Sequence, residues 1–463
     1  AVSRPRRHKV RRPEEPPRPS RIILPGAEPA APEGAPRIVL PPGASIEPAD
    51  DLPEYPRLRP LVIVPIVDQD RELLLVTDPL GVIRDQPVLS MQALGLLQLL
   101  DGSASLTDIT AALMRDSKDL RVGNMVRDFV RQLDELLMLD SPRFERAYRE
   151  LRDAYHPLEI RHAALEGHAY PATAPELKAF LDENFLQAVA LRDAAKEKVA
   201  APDALPRALL VPHLDPRRAG STIARGWLEL GPEPPEPLRV VVLGTGHTML
   251  GDRFALTRKH FQTPLGKLEC DTAFVDTLAG SLGDDAYHGE LAHRDEHSIE
   301  FQVLYLQRRL GARRGKLVPV LCGGFHELCD RGIAPRHDEP TERFIAALRA
   351  AERWHGGPTL YVGAIDLSHV GPRFDPREGR LDDRAHKEVE EKDRAALDAA
   401  VRGDADGWFA AIAGHDDSTR ICGFGPTHPC ECPSALTGHV KDHRERLNNL
   451  LKCQFLERLV TAL

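Results

Sequence analysis

Four short apolar runs, at 207–212, 239–244, 316–322 and 359–365, are set apart by stretches of helical periodicity at 173–196, 271–281, 298–310, 340–354 and 383–402. Strands alternating with helices predict a mainly parallel sheet covered by helices on both faces, because parallel neighbours are joined by crossovers that lie against the sheet. Three of the runs stop on polar, metal-capable side chains. Ala-Leu-Leu-Val-Pro ends at His213, Arg-Val-Val-Val-Leu-Gly-Thr-Gly ends at His247, and Thr-Leu-Tyr-Val-Gly-Ala-Ile delivers Asp366 and, three residues on, His369. Open α/β folds keep their chemistry at the carboxyl edge of the sheet, where these residues fall.

A later Arg-Ile-Cys-Gly-Phe-Gly turn places Cys422 between small residues. One strand-end histidine is ordinarily a satisfied polar group. Two of them with a cysteine in a glycine turn point instead to a metal centre with imidazole and thiolate ligands. That donor set suits iron, copper or zinc rather than magnesium or calcium, which take oxygen. Three protein ligands leave positions open, as catalytic sites require. Asp366 and His369 are candidates to orient the ligands or to act as an acid/base pair. Glu296-His297-Ser298 stands before an amphipathic run, so it reads as a helix cap that also turns His297 towards the cleft.

The chain has 463 residues, which exceeds one compact core and predicts two or more domains. Its balance of 61 basic against 70 acidic side chains, −9 in all, provides no general attraction for nucleic acid or membranes. No apolar run approaches the ~20 residues that cross a bilayer, and no apolar secretion segment opens the chain. The expectation is a cytoplasmic protein. All seven cysteines lie in the second half and their number is odd, which argues against a disulfide framework. The pair in His428-Pro-Cys430-Glu-Cys432 lacks the usual zinc spacing and reads as ordinary thiols.

Residues 1–58 are proline-rich with a basic start and no apolar periodicity, so a disordered arm is expected. From 59 to 141 the pattern is different. Leu61–Val67 reads as a strand with 72–78 as its hairpin partner, Ser90 caps a helix that stops at Asp101-Gly102, and two further helices begin at Leu106 and Val122. This is the plan of a small winged-helix-like α+β module. Its Leu-Leu-Asp-Gly…Leu-Thr-Asp-Ile…Phe-Val-Arg-Gln-Leu-Asp pattern resembles the PqqD-like peptide chaperones of pyrroloquinoline-quinone biosynthesis. DNA binding is disfavoured, since Arg127 and Arg131 share the third helix with Asp128, Asp134 and Glu135. A polar linker helix at 142–157 leads into the large domain, 158–463.

The motifs of the large domain also fall in the order of a known family. Ile160-Arg161…Gly167-His168-Ala-Tyr170, Pro212-His213, Gly244-x-Gly-His247, Thr263-Pro-Leu-Gly266, Glu296-His-Ser-Ile-Glu300, Asp366-x-x-His369-x-Gly371 with Arg373-Phe374, and Ile421-Cys-Gly423 resemble the Memo family, of the AmmeMemoRadiSam system protein B type. That family is similar in fold to class III extradiol dioxygenases. The resemblance implies His213, His247 and Cys422 as metal ligands, with a thiolate where the dioxygenases keep a glutamate, and Asp366 and His369 in acid/base or supporting positions. It implies Fe(II), or else copper or zinc, as cofactor, and O₂-dependent oxidation as the reaction class. Radical-SAM and AMMECR-type proteins, and a peptide substrate, are the implied partners. Leu-Asp-Pro-Arg-Arg after His213, Thr245-Gly246, Ile365 and Phe424 depart from the family's usual residues, so the pocket mouth differs. Two other readings stand beside this one: a non-catalytic metal- or peptide-binding adaptor, and a zinc-dependent hydrolase with His369 as base.

Overall fold

The computed structural model describes residues 52–427, apart from 69–70, 84, 120, 200–202, 204, 250, 312, 373 and 375–378, together with the two-residue strand Ile22–Ile23. Most of the arm read at 1–58, Arg373, and the His428–Cys432 segment lie outside the described residues. The chain forms two compact units, Ala1–Asp153 and Ala154–Leu463. No helix among the described residues is long and apolar enough to cross a membrane.

In the first unit the strands Val62–Asp68 and Arg71–Thr77 pair antiparallel from Val62↔Thr77 to Asp68↔Arg71. Val88–Ser90 adds a third strand that the sequence reading omits. Ser90 caps a short 3₁₀ turn, Met91–Ala93, and the following helix is only Leu94–Leu97, ending three residues before the expected point. Ser105 caps Leu106–Ser117 by accepting from the Asp108 amide, and the third helix is Arg121–Glu135. Val126, Phe129, Val130 and Leu133 lie one helical face apart and close the core against Leu74, Val76 and Leu89. Asp134 turns inward to Arg143 rather than outward, so it is not part of the charged surface beside Arg127.

A buried ion pair ties this unit together. Arg59 meets Asp78 at 3.1 Å and donates to the Leu137 carbonyl at 2.6 Å, while Asp78 accepts from the amides of Leu80, Val82 and Ile83. Removing one partner strands the other charge without water. Asp78→Ala is therefore expected to cost about 3–5 kcal/mol, read as faster amide exchange across 71–83 in the full chain. Unchanged protection would show that the pair does not hold the hairpin.

The second unit is built on a five-stranded sheet in the order Ala208–Val211, Thr359–Ala364, Leu238–Thr245, Gly315–Cys322, Phe254–Leu256. The first four strands are parallel and the short last one is antiparallel. Both faces are covered, as the apolar runs predict. Val240 and Val242 face a core with Trp227, Ile299, Val303 and Leu177, supplied by the helices Ala174–Ala194, Pro216–Trp227 and His297–Leu310. Val241 and Leu243 face the other way, onto Phe274, Leu278, Phe344 and Leu348 of the helices Thr272–Leu282 and Glu339–His355. Asp284–His293 is a 3₁₀ helix. A separate three-stranded sheet joins Ile160–Arg161, His260–Thr263 and Gly266–Leu268.

Strand register decides where the chemistry lies. Ala364 is level with Val211 on one side and Gly244 on the other, and Leu321 is level with Gly244. The carboxyl ends of four parallel strands therefore finish in one row. Beyond that row, Ile365, Leu367, Phe325, Ile421 and Phe424 pack with Trp408 and Ile412 into a further core. This core anchors the turn that carries Cys422.

Candidate metal centre

His213 and Asp366 stand two residues past adjacent strand ends, and the backbone folds them onto one another. The Asp366 carboxylate accepts from the His213 amide at 3.1 Å and lies 3.6 Å from its ring Nε2. The ring's Nδ1 is 2.9 Å from the Ala364 carbonyl oxygen. A carbonyl only accepts, so Nδ1 carries a proton, and Nε2 is the nitrogen whose lone pair is free when the ring is neutral. That Nε2 is 3.4 Å from Cys422 Sγ.

His247 is prepared in the same way by a different group. Glu296 caps the helix His297–Leu310, accepting from the amides of His297 and Ser298. The same carboxylate accepts from the His247 amide at 2.9 Å and from its ring Nδ1 at 3.0 Å. It also lies 3.1 Å from Nδ1 of His297. One buried carboxylate thus orients two imidazoles. The His247 and His297 rings stack at 4.9 Å between centroids, and His213 stands nearly perpendicular to both at 5.2 and 5.3 Å.

The Cys422 turn has its own supports. Gly423 N–H donates to the Asp366 carbonyl at 3.0 Å, and Thr245 Oγ1 donates to the Cys422 carbonyl at 3.2 Å. A Cβ at Gly423 would come within 2.5 Å of Ile365 Cβ, so the Cys-Gly pair is fixed by space as well as by bonding. Asp417, itself paired with His326 at 2.5 Å, accepts from the Ile421 amide. Asp416, Asp417 and Arg420 all take positive φ, a left-handed conformation that non-glycine residues rarely adopt.

Electrostatics follow from this packing. Burial alone would keep His213 neutral, but Asp366 and the Cys422 sulfur outweigh it and hold the imidazole up at about 9. Burial opposes the charge on His247 too, and Cys422 with Glu296 raises it to about 10. For Cys422 burial favours the thiol, yet the His213 and His247 imidazoles overcome it and bring the group down to about 5. Glu296 is buried as well, and the two histidines hold it well below the usual carboxylate range. In the metal-free protein the protons occupy the positions that a cation would take.

Among the described residues, two groups of donors lie within 4.8 Å of one another: His213, His247 and His297, and His213, Asp366 and Cys422. Five of the six candidate site residues therefore converge, with His213 common to both groups. His369 belongs to neither. Its Nδ1 donates to the Leu367 carbonyl at 2.7 Å, its amide donates to Thr419 O, and its ring meets Phe374 edge-on. Between Asp366 and His369, Ser368 donates to the buried Asp393 at 2.6 Å, and burial raises that carboxyl to about 6. The part played by Glu296 was not anticipated beyond a cap, and Asp393 carries no sequence signal. His288 is exposed and bonded to Asp252, and Cys270 is buried with its thiol pushed up by that burial.

The Ile160-Arg161 motif also has a physical role. Arg161 is fully buried against Glu300 and donates to the carbonyls of His293 at 3.0 Å and Glu296 at 2.8 Å. Glu300 further accepts from Ala164 N, Leu165 N and Tyr170 Oη. The peptide that bears Glu296 is thereby fixed from behind.

Relatives share this stretch of chain. A MEMO1 family protein of Aquifex aeolicus is 28% identical over 301 residues, covering 65% of this chain and 72% of the relative. One of Thermus thermophilus is 28% identical over 298 residues, covering 64% and 80%. Another, of Methanopyrus kandleri, is 29% identical over 271 residues, covering 58% and 84%. The family described as Memo-like protein matches residues 161–430, from the buried Arg161 through the Cys422 turn, and on that extent the chain belongs to the Memo family.

Proposed function

We propose that this chain is a transition-metal protein of redox character, with iron as the cofactor and copper as the alternative, held through His213, His247 and Cys422. The observation that carries this reading is the contact of Cys422 Sγ with His213 Nε2 at 3.4 Å, in a setting that keeps the sulfur as thiolate. A thiolate with two imidazoles that give up a proton to the ion matches iron, copper and zinc in softness and does not match magnesium or calcium. The fit is also supported from behind the ligands, because His213 and His247 each present Nε2 only after Nδ1 is tied to an acceptor. When bound, the ion supplies one-electron chemistry and a position for dioxygen.

The chain's own residues do the rest. The Ala364 carbonyl and Glu296 fix the imidazoles, Asp366 holds the His213 amide, and His369, with Nδ1 committed to a carbonyl, keeps Nε2 for proton transfer. A peptide substrate, and radical-SAM and AMMECR-type partners, fit the same reading. In the first unit, Val62–Asp68 is the edge strand of its sheet and exposes Val62 and Val64 on one face, which suits an extended peptide.

Metal analysis after anaerobic purification tests the proposal. About one iron per chain and an iron-nitrosyl signal on nitric oxide addition are expected, and both should vanish in His213→Ala with helical content unchanged, because His213 lies beside every other donor but not in the core. Stoichiometric zinc would turn the reading to hydrolysis. A chain that takes up no metal would make it an adaptor.

A further inference from the structure

His297 is better prepared than a helix-capping neighbour needs to be. Its Nδ1 lies 3.1 Å from Glu296 Oε1, an ion-pair contact that leaves Nε2 as the ring nitrogen open to a cation. In His213 and His247 the Nδ1 atom is likewise engaged, by Ala364 O and by Glu296. Fixing Nδ1 by a carboxylate or carbonyl is how ligating histidines are held. Here one carboxylate does so for two rings, and its own position is set by two helix amides and by the Arg161 contact to its backbone. Donor nitrogens of the three rings lie within 4.8 Å of one another without recourse to sulfur. The rings also enclose a corner rather than a plane, since His213 is perpendicular to the stacked pair.

We infer that His297 completes a second, all-imidazole ligand set with His213 and His247, which holds a divalent cation of borderline softness independently of Cys422. This rests on the reading that the cluster binds a metal, and it goes further by naming a ligand and a metal class. The two sets share His213 and His247 and differ in softness. Three imidazoles suit Co²⁺, Zn²⁺ or Fe²⁺, and the thiolate-bearing set is the softer of the two. The same cavity therefore sorts metals by which neighbours of His213 they engage, and loss of the thiol leaves a site for divalent ions rather than none.

Anaerobic titration with Co²⁺ tests this, because a cobalt–thiolate bond gives a near-ultraviolet charge-transfer band that imidazole ligands do not. Four proteins are compared: wild type, Cys422→Ala, His297→Ala, and the double variant, with affinity read by competition against a chromophoric chelator. Cys422→Ala is expected to bind one Co²⁺ with visible ligand-field bands and no thiolate band. The double variant should bind at least ~100-fold more weakly than Cys422→Ala, beyond the ~10–100-fold lost with an outer partner. His297→Gln in the Cys422→Ala background, with its melting curve, serves as the second variant should the alanine protein fold poorly. The inference is overturned if Cys422→Ala takes up no Co²⁺ while wild type does, or if the double variant binds as tightly as Cys422→Ala. Failure of wild type to bind any Co²⁺ overturns the metal reading itself, and this inference with it.

Discussion

Alkylation of the metal-free protein at pH 6 is expected to select Cys422 over the other described cysteines. The sign follows from the group's depressed value. A thiol brought down to about 5 is ionised above that pH and becomes protonated only as pH falls through it. At pH 6 Cys422 is then about nine-tenths thiolate, against roughly 0.3% for an ordinary thiol of pKa ~8.5. A low-pKa thiolate is intrinsically a poorer nucleophile, by about 40-fold over this interval for a Brønsted slope near 0.45. The net advantage over an ordinary thiol is therefore roughly tenfold. Over Cys329, raised by burial to about 11, and Cys270, raised further, it is much larger. Iodoacetamide labelling followed site by site in mass spectra should give a Cys422 rate that stays nearly level from pH 8 to 6 and halves near pH 5. A rate that instead falls tenfold per unit below pH 8 would show a normal thiol and remove the imidazole–thiolate pair. Bound metal should protect the sulfur, so adding the cation before the reagent ought to suppress labelling at this residue alone.

How far such a site can be read from sequence depends on the range of the contacts that make it. Leu238–Thr245 was legible because a strand buried on both faces is apolar on both, as Val240–Leu243 are. Its stop at Gly-Thr-Gly-His then placed His247 at the sheet edge. The helix Pro216–Trp227 is harder to read. Its apolar face is thin, and its close packing depends on Gly220, where a Cβ would lie 2.4 Å from the Asn184 amide. The strand Phe254–Leu256 has three residues, too few for a period, and exists because Cys322 offers an edge for it to pair with.

In the site, strand ends flagged His213, His247 and Asp366, while His297 was read only as turned towards the cleft beside a cap. The deciding fact is that the Glu296 carboxylate reaches His247, 49 residues earlier in the chain, which no local spacing encodes. Asp134 shows the same limit in the small unit. Its charge reads as a surface residue, yet it lies four residues after the buried Val130, at the margin of the buried face, where Arg143 meets it.

A contact of still longer range carries a stability effect as large as that of Arg59 and Asp78. Arg161 and Glu300 are 139 residues apart and both fully buried, so each depends on the other for its charge to be tolerated. Arg161→Ala would leave the Glu300 carboxylate with only the Ala164 and Leu165 amides and the Tyr170 hydroxyl, and would orphan the carbonyls of His293 and Glu296. Breaking a buried pair from one side costs about 3–5 kcal/mol. Trp227, fully buried in the same core, reports unfolding of this unit in a urea titration. Replacing both partners by apolar residues of similar size, Arg161→Met with Glu300→Leu, should recover part of that loss, since no uncompensated charge then remains. Metal affinity should not recover with stability. The Glu296 peptide would still lack its donor, and the carboxylate that orients His247 and His297 would still be loosened, at a cost in affinity of about tenfold or more. A double variant that regained both stability and metal binding would show that Arg161 serves only to solvate Glu300. A single variant losing less than about 1 kcal/mol would show that the pair contributes no more than an exposed one.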